Sequence, residues 1–315
     1  MARFVVRRLI SMLAVLFAIS VLTFLIFNVI PNSDPALRLA GRTPTRGQIE
    51  SIRHQWGFDR PIYVQYGKTM EKIFTGDLVS YANQIDVDQE IVNDVPRTFS
   101  LAIGAAIMWM TFAVALGLYT AVRAGKFADR FLTVLALIGI SMPVFWIGAL
   151  MNYYLGFKWE IFPNGGYVPL TEDPVQWAYH LIMPWTALSL LFIGVYSRVL
   201  RSNVLDTIND DYVRTARAKG LSERRVLVRH VLRNSLIPIV SLWGLDFGAV
   251  LGGGAILTET VFDLQGVGQY AAESVGQLDV PPVLAITMFG AFFIVMLNTV
   301  VDIVYAYLDP RIRLQ

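Results

Sequence analysis

The sequence predicts an all-α polytopic membrane protein with six transmembrane helices and an extracytoplasmic cap after the first helix. Three observations carry this. The chain is 55% apolar over 315 residues. Its mean hydropathy is +0.52, and only 16% of it is charged, where a soluble domain carries about 25%. The apolar residues gather into six runs of roughly 20 residues, about 30 Å of helix each, which matches the hydrocarbon core of a bilayer. Buried helices of a soluble protein do not explain six such runs in one chain.

The first span, 9–30, follows Arg3, Arg7 and Arg8. A signal peptide's apolar stretch has about 7–15 residues. This run is longer and reads as a retained anchor, so 1–30 is taken as an N-terminal cytoplasmic end plus the first span. Residues 31–96 are too long for a connector and form the cap. Ile49, Ile52 and Trp56 share one helical face ahead of Gly57. Pro61 opens a second helix that Gly76 ends. A lid packed on the span ends and a docking surface both fit this segment. Residues 97–315 hold a five-helix core. Its spans are 98–122, 131–157, 181–200 with only Arg198, 235–258 with only Asp246, and 280–301 just before Asp302.

Orientation follows from Lys and Arg, which accumulate on the cytoplasmic side. Six spans put both termini on one side, and seventeen of the 26 basic residues lie there. In the short loops the opposite side has only Lys158. Both termini are therefore placed in the cytoplasm. Several chemistries are excluded. Cysteine is absent, which removes disulfides, thiolate metal sites and cysteine nucleophiles. His54, His180 and His230 lack metal-ligand spacing; His180, at the outer edge of span four, reads as an interfacial residue. Gly67-Lys68-Thr69 imitates the end of a phosphate-binding loop, but the glycine required five residues earlier is Ile62. The chain is not expected to bind ATP in that manner.

The loop 201–234 is long for a turn between spans and reads as two helices. The first runs from Asp210 or Asp211 through Lys219, with acidic residues at its start to complement the helix dipole. Gly220 suits the left-handed residue that ends a helix. Ser222 starts a second helix reaching about Arg233, with Arg225, Arg229 and Arg233 in one row. A basic loop resting on lipid headgroups accounts for the charge. It does not account for the helix–glycine–helix layout, or for the small residues Ala216 and Ala218 that permit close approach of another helix or protein surface. The layout favours docking onto a partner that moves the spans.

The stretches YVRTARAKGL (212–221) and RHVLRNSLIP (229–238) resemble the cytoplasmic signature of dipeptide/oligopeptide permease subunits of bacterial ATP-binding cassette (ABC) importers. Arg7-Arg8-Leu9, Thr23-Phe24, GAILTETVF (254–262), GVGQY (266–270) and DPRIR (309–313) are also similar to motifs of that family, so the likeness covers nearly the whole chain. It implies a type I importer permease in the bacterial inner membrane. It implies a second, homologous permease subunit and two ABC ATPase domains or subunits that carry ATP and Mg. It also implies an extracytoplasmic substrate-binding protein, with no cofactor in this chain and no nucleic acid. The loop would be the EAA motif, a coupling helix that docks on the ATPase through Arg214, Thr215, Ala216, Arg217, Ala218, Lys219, Gly220 and Leu221. The motif's acidic first residue is Arg214 here, and its Ile-x-Leu-Pro positions fall on His230, Val231, Leu232 and Arg233. The family's Pro-Gly-Asp-Pro appears as Pro31-Asn32-Ser33-Asp34-Pro35, its Gly-Asp-Leu-Gly as Gly76-Asp77-Leu78-Val79, and the proline expected before Gly266 is Gln265. These departures lie outside the membrane and bear on substrate or receptor.

Within the spans, Gly244, Gly248 and Gly252 form a small-residue stripe for helix packing, within the chain or against the second permease. Asp246 is a costly intramembrane charge, by about 3 kcal/mol on insertion scales. It belongs either to the translocation path or to a bond with a neighbouring helix. Asp302, nearer the inner end of span six, reads as paired with an inner arginine. Pro143 can kink span three and suits a moving gate. The loop 258–279 carries Glu259, Asp263, Glu273 and Asp279 without a basic residue, an acidic outer surface that suits a receptor or a peptide amine. Rival readings are an importer of nickel chelates or glutathione, a proton-driven secondary transporter using Asp246, and a membrane-embedded enzyme, for which a convergent polar constellation is missing.

Overall fold

A computed structural model describes residues 2–26, 36 and 45–308. Outside these lie the expected outer end of span one, the Pro31–Pro35 stretch and the closing Asp309–Arg313. No β-strand is present among the described residues; a lone bridge joins Val79 and Asp86. The helices are α1 (Ala2–Phe24), α2 (Arg46–Trp56), α3 (Ile62–Thr75), α4 (Val87–Val122), α5 (Phe127–Ser141) and α6 (Val144–Met151), the last running into a π-helical turn Asn152–Lys158. They continue with α7 (Pro174–Thr207), α8 (Asp211–Ala218) and α9, which joins Glu223–Arg225, a π turn Val226–Leu232 and Arg233–Ser235. The chain closes with α10 (Ile237–Ala249) and its π turn Val250–Gly254, α11 (Ile256–Val261), α12 (Val267–Gly276) and α13 (Val280–Leu308). Among the described residues five helices are long and apolar enough to cross a membrane, and the bent pair α5–α6 makes up to six.

The long helices overrun the uncharged runs, because charge marks the bilayer edge and capping marks the helix end. Asp86 caps α4 by accepting from the Gln89 amide at 3.0 Å. Asp173 does the same for α7, accepting from Val175 and Gln176, with Pro174 at the first turn where no N–H is needed. In the cap, Gly57 and Gly76 end α2 and α3 with φ of 73° and 78°. The Gly67-Lys68-Thr69 stretch lies inside α3; a helix interior has no free amides with which to cradle phosphate.

Span three is broken rather than kinked. Met142 takes an extended conformation ahead of Pro143, and the helices on either side differ in direction by 97°. Span five holds a break the sequence reading missed. Val250–Gly254 widens to a π turn, and Gly253 has a φ of 130°, which L side chains rarely adopt. The Gly252-Gly253-Gly254 run was its signal.

Packing is organised by α4 along α7 and by α10 along α13, with α1 against α13. Trp109 of α4 is fully buried and stacks on Phe192 of α7 at 4.4 Å. The glycine stripe faces α13 of the same chain. A Cβ on Gly244 would lie 2.0 Å from Val301, one on Gly248 3.3 Å from Leu297, and one on Gly252 2.5 Å from Ile294. Arg8 and Asp302 pair at 3.0 Å and tie α1 to α13. Tyr66 of α3 bonds Ser20 at 2.7 Å and packs its ring on Phe24, seating α3 on the end of α1. Large apolar side chains such as Leu13, Phe17 and Ile107 point outward, as hydrocarbon solvent allows.

Candidate functional site

The elbow of α8 and α9 is built by its buried face. In α8, Val213 and Ala216 are three residues apart, so both turn to one side. They are buried with Leu200 and Val204 of α7, Val226 and Val231 of α9, and Ile239 of α10. Ala216, expected to ease the approach of a partner, is thus closed against this chain's own spans. Leu221 packs partly on the same core. Arg214, Thr215, Arg217, Ala218, Lys219 and Gly220 stay on the exposed side. The ten-residue stretch therefore splits into an anchor face and a presented face.

Polar contacts set the angle of the elbow. Gly220 has a φ of 76° and open space around it, so the turn itself requires glycine there. Arg217 clamps Glu223 across the turn at 3.0 and 3.4 Å. The Asn234 amide donates to the Tyr212 hydroxyl at 2.7 Å, fixing α8 on α9. Asn203 and Ser235 bond each other's carbonyls, both at 3.3 Å, fixing α9 on α7. Beside them Arg201 donates to both oxygens of the buried Asp129 at 2.7 and 2.8 Å. This two-pronged ion pair links the start of α5 to α7. The expected row of Arg225, Arg229 and Arg233 is not straight. The π turn Val226–Leu232 adds residues to the helical repeat, so four-residue spacing no longer aligns side chains. Ser222 precedes α9 without a side-chain capping bond.

Among the intramembrane candidates, Asp246 accepts a hydrogen bond from the buried Tyr196 hydroxyl at 2.6 Å. Pro143 sits at the break in span three. Neither borders the cavity of about 300 Å³ at the cap end of the bundle. His180 bonds the Gln176 carbonyl of its own helix at 2.9 Å.

The acidic outer loop divides. Asp263 and Glu273 are exposed, but Glu259 and Asp279 are buried. Asp279 accepts from the Ser80 hydroxyl and from the Tyr81 amide at 2.9 Å, pinning the segment before α4 to the start of α13. Glu259 joins two sequence motifs. Its Oε2 accepts from the Gln269 amide at 2.9 Å, and Thr98 and the Gly268 amide also bond the carboxyl. A Cβ on Gly266 or Gly268 would come within 2.6 or 2.8 Å of that oxygen. The two glycines of GVGQY thus make room for the carboxyl of GAILTETVF. Burial pushes this carboxyl above the usual carboxylate range, while the three donors pull the other way. Sequence reasoning counted Glu259 only as a surface charge. The paired glycines seven and nine residues on were the available signal. At Gln265, φ is 52° and the amide donates to Gln269. Proline allows neither.

A helical bundle whose long helices have bilayer length and apolar character defines a polytopic membrane protein. Residues 113–314 match the family described as binding-protein-dependent transport system inner membrane component. Residues 1–102 match the model described as binding-protein-dependent transport system membrane component, N-terminal. The chain belongs to this family. It is 33% identical over 99% of its length to the whole of the probable peptide ABC transporter permease protein y4tP of Sinorhizobium fredii. It is 34% identical to the probable D,D-dipeptide transport system permease protein DdpB of Escherichia coli K12, with 96% of this chain and 95% of that protein covered. It is 35% identical to the glutathione transport system permease protein GsiC of Escherichia coli O6:H1, with 99% of each covered.

Proposed function

We propose that this chain is the membrane permease subunit of an ABC importer for short peptides, in a bacterial inner membrane with both termini in the cytoplasm. Residues 1–30 form the anchoring first span, 31–96 the extracytoplasmic cap, and 97–315 the core with its coupling loop 201–234. The carrying observation is the two-faced elbow, where Val213 and Ala216 are buried in the chain's own span core while Arg214, Thr215, Ala218 and Lys219 are presented outward. A force on the presented face reaches α7 and α10 through packed side chains, which transmit displacement because interiors are dense. ATP and Mg belong to two ATPase subunits docked there. A second permease subunit completes the path, and a substrate-binding protein delivers peptide at the cap end. The relative named for glutathione keeps that tripeptide as the second substrate reading.

The test is uptake by the reconstituted assembly. Uptake of labelled peptide stops when the ATPase subunit is disabled by substitution at its nucleotide site. Persistence of uptake on a proton gradient alone would overturn the mechanism in favour of a proton relay through Asp246.

Asp246 and the Pro143 break belong to the translocation path on this reading. Asp246→Asn is expected to lower uptake about tenfold or more, since an intramembrane carboxylate facing a path acts through its charge. Tyr196→Phe removes the hydrogen bond but keeps the carboxylate, and should retain most uptake. Equal losses from both variants, tracking a lower melting temperature, would instead assign Asp246 a packing role.

A further inference from the structure

We infer that the cavity at the cap end binds a primary ammonium group carried on an apolar body, with Glu259 as its counter-charge. The site uses a carboxyl the transport mechanism above leaves unemployed. Glu259 is fully buried, and only one side of its carboxyl is satisfied. Oε2 is bonded by the Gln269 amide at 2.9 Å, and Thr98 and the Gly268 amide also donate to the carboxyl. Oε1 has no partner. Both protonation states leave it unmet: the anion lacks a donor there, and the acid, with its proton on the side away from the backbone amides, lacks an acceptor. A buried polar atom of this kind is destabilising unless something supplies the bond.

The space beside it has the right character. The cavity holds about 300 Å³, and Glu259 borders it together with Leu251, Ile256, Ala271, Phe289 and Ile294. Apart from Glu259 the polar side chains of the wall are Thr98 and Thr287, both already hydrogen-bonded to backbone. A single carboxyl in a mostly apolar wall therefore selects for a cation that brings hydrocarbon with it, and selects against a bare metal ion or a zwitterion with an adjacent carboxylate. The broken backbone of span five, at Gly252 and Gly253, forms part of the same wall.

A second hollow of about 320 Å³ lies against Gly266 and Gln269 at the start of α12. Glu90, Asp94, Asp263 and Glu273 border it, against the single cation Arg97, which pairs with Asp94 at 2.9 Å. Such a rim concentrates cations next to the buried carboxyl. Two sources share the inferred chemistry: the amino terminus of a short peptide, which deepens and rests on the transport reading above, and the ethanolamine headgroup of a phospholipid.

The test uses the purified assembly in nanodiscs of phosphatidylcholine, with leucinamide as the ammonium probe and N-acetyl-leucinamide as its neutral control. Leucinamide is expected to raise the melting temperature of the assembly, and the control is not. In Glu259→Gln the half-saturating concentration should rise about tenfold or more, the loss of a hydrogen bond to a charged group. Ala271→Leu fills the cavity without touching the carboxyl and should weaken the probe similarly, which keeps the test valid if Glu259→Gln folds poorly. If phosphatidylethanolamine nanodiscs reproduce the stabilisation and leucinamide then adds nothing, the headgroup is the source. The inference is overturned if neither amine stabilises the wild type, if the acetylated control matches leucinamide, or if both variants respond as the wild type does. Peptide uptake by the same purified wild-type assembly in sealed proteoliposomes, measured in parallel, reports on the transport reading separately.

Discussion

Ala216→Glu is expected to abolish coupled uptake, while Ala218→Glu, two residues along the same helix, does not disturb the fold of the elbow. Ala216 is only 6% exposed and sits among Val213, Val204, Val226 and Val231. A carboxylate there is either buried without a partner, at a cost on the order of 3–5 kcal/mol, or forces α8 off the span core. Either way the elbow no longer moves with α7 and α10. ATP hydrolysis by the assembly should then lose its stimulation by substrate, and uptake should fall more than tenfold, a change that about 1.4 kcal/mol already produces. Ala218 is exposed, so a carboxylate there costs little folding energy. It alters only the charge on the exposed face, which on the proposed function meets the ATPase subunit, and its effect should fade as salt rises. Measuring uptake and ATP hydrolysis for both variants separates the anchor face from the presented face. Wild-type coupling in Ala216→Glu would show that the buried face does not carry the motion.

Gly290→Ala is the second large effect, and it acts on stability. A Cβ at Gly290 would meet the Gly252 carbonyl oxygen at 2.6 Å and its carbonyl carbon at 3.1 Å. The obstacle is backbone, which cannot rotate away as a side chain can. Spans five and six must therefore part, losing the contacts of Gly248 with Leu297 and of Gly252 with Ile294. The expected cost is about 1–3 kcal/mol, seen as a lower melting temperature and lower yield of the assembly in detergent. Gly276→Ala is the control, because nothing lies within 4 Å of its added methyl. Equal stability of the two variants would show that the close approach at Gly290 is not maintained in the membrane.

The membrane character of the chain was legible from the sequence because hydrocarbon imposes a length and a polarity on each span, and both are written in the local order of residues. The elbow was legible for a similar reason. The dipole-compatible Asp211, the left-handed Gly220 and the helix start after Ser222 are local signals, and the helices begin and end beside them. The cap helices ended at Gly57 and Gly76 on the same grounds.

What local order could not carry was which partner each side chain meets. The stripe of Gly244, Gly248 and Gly252 showed that some helix comes close, and only the fold showed that it is α13 of the same chain. Glu259 and Asp263 are four residues apart in one acidic loop. The first is sealed under Gly266 and Gly268, and the second lies in solvent. The sequence by itself determined the spans, the basic elbow and the family motifs, since helix length, capping and charge are properties of neighbouring residues. Only the tertiary structure decided the 97° break in span three, the inward turn of Ala216 and the cavity against Glu259. Those depend on contacts between residues far apart in the chain, whose distances no local pattern encodes.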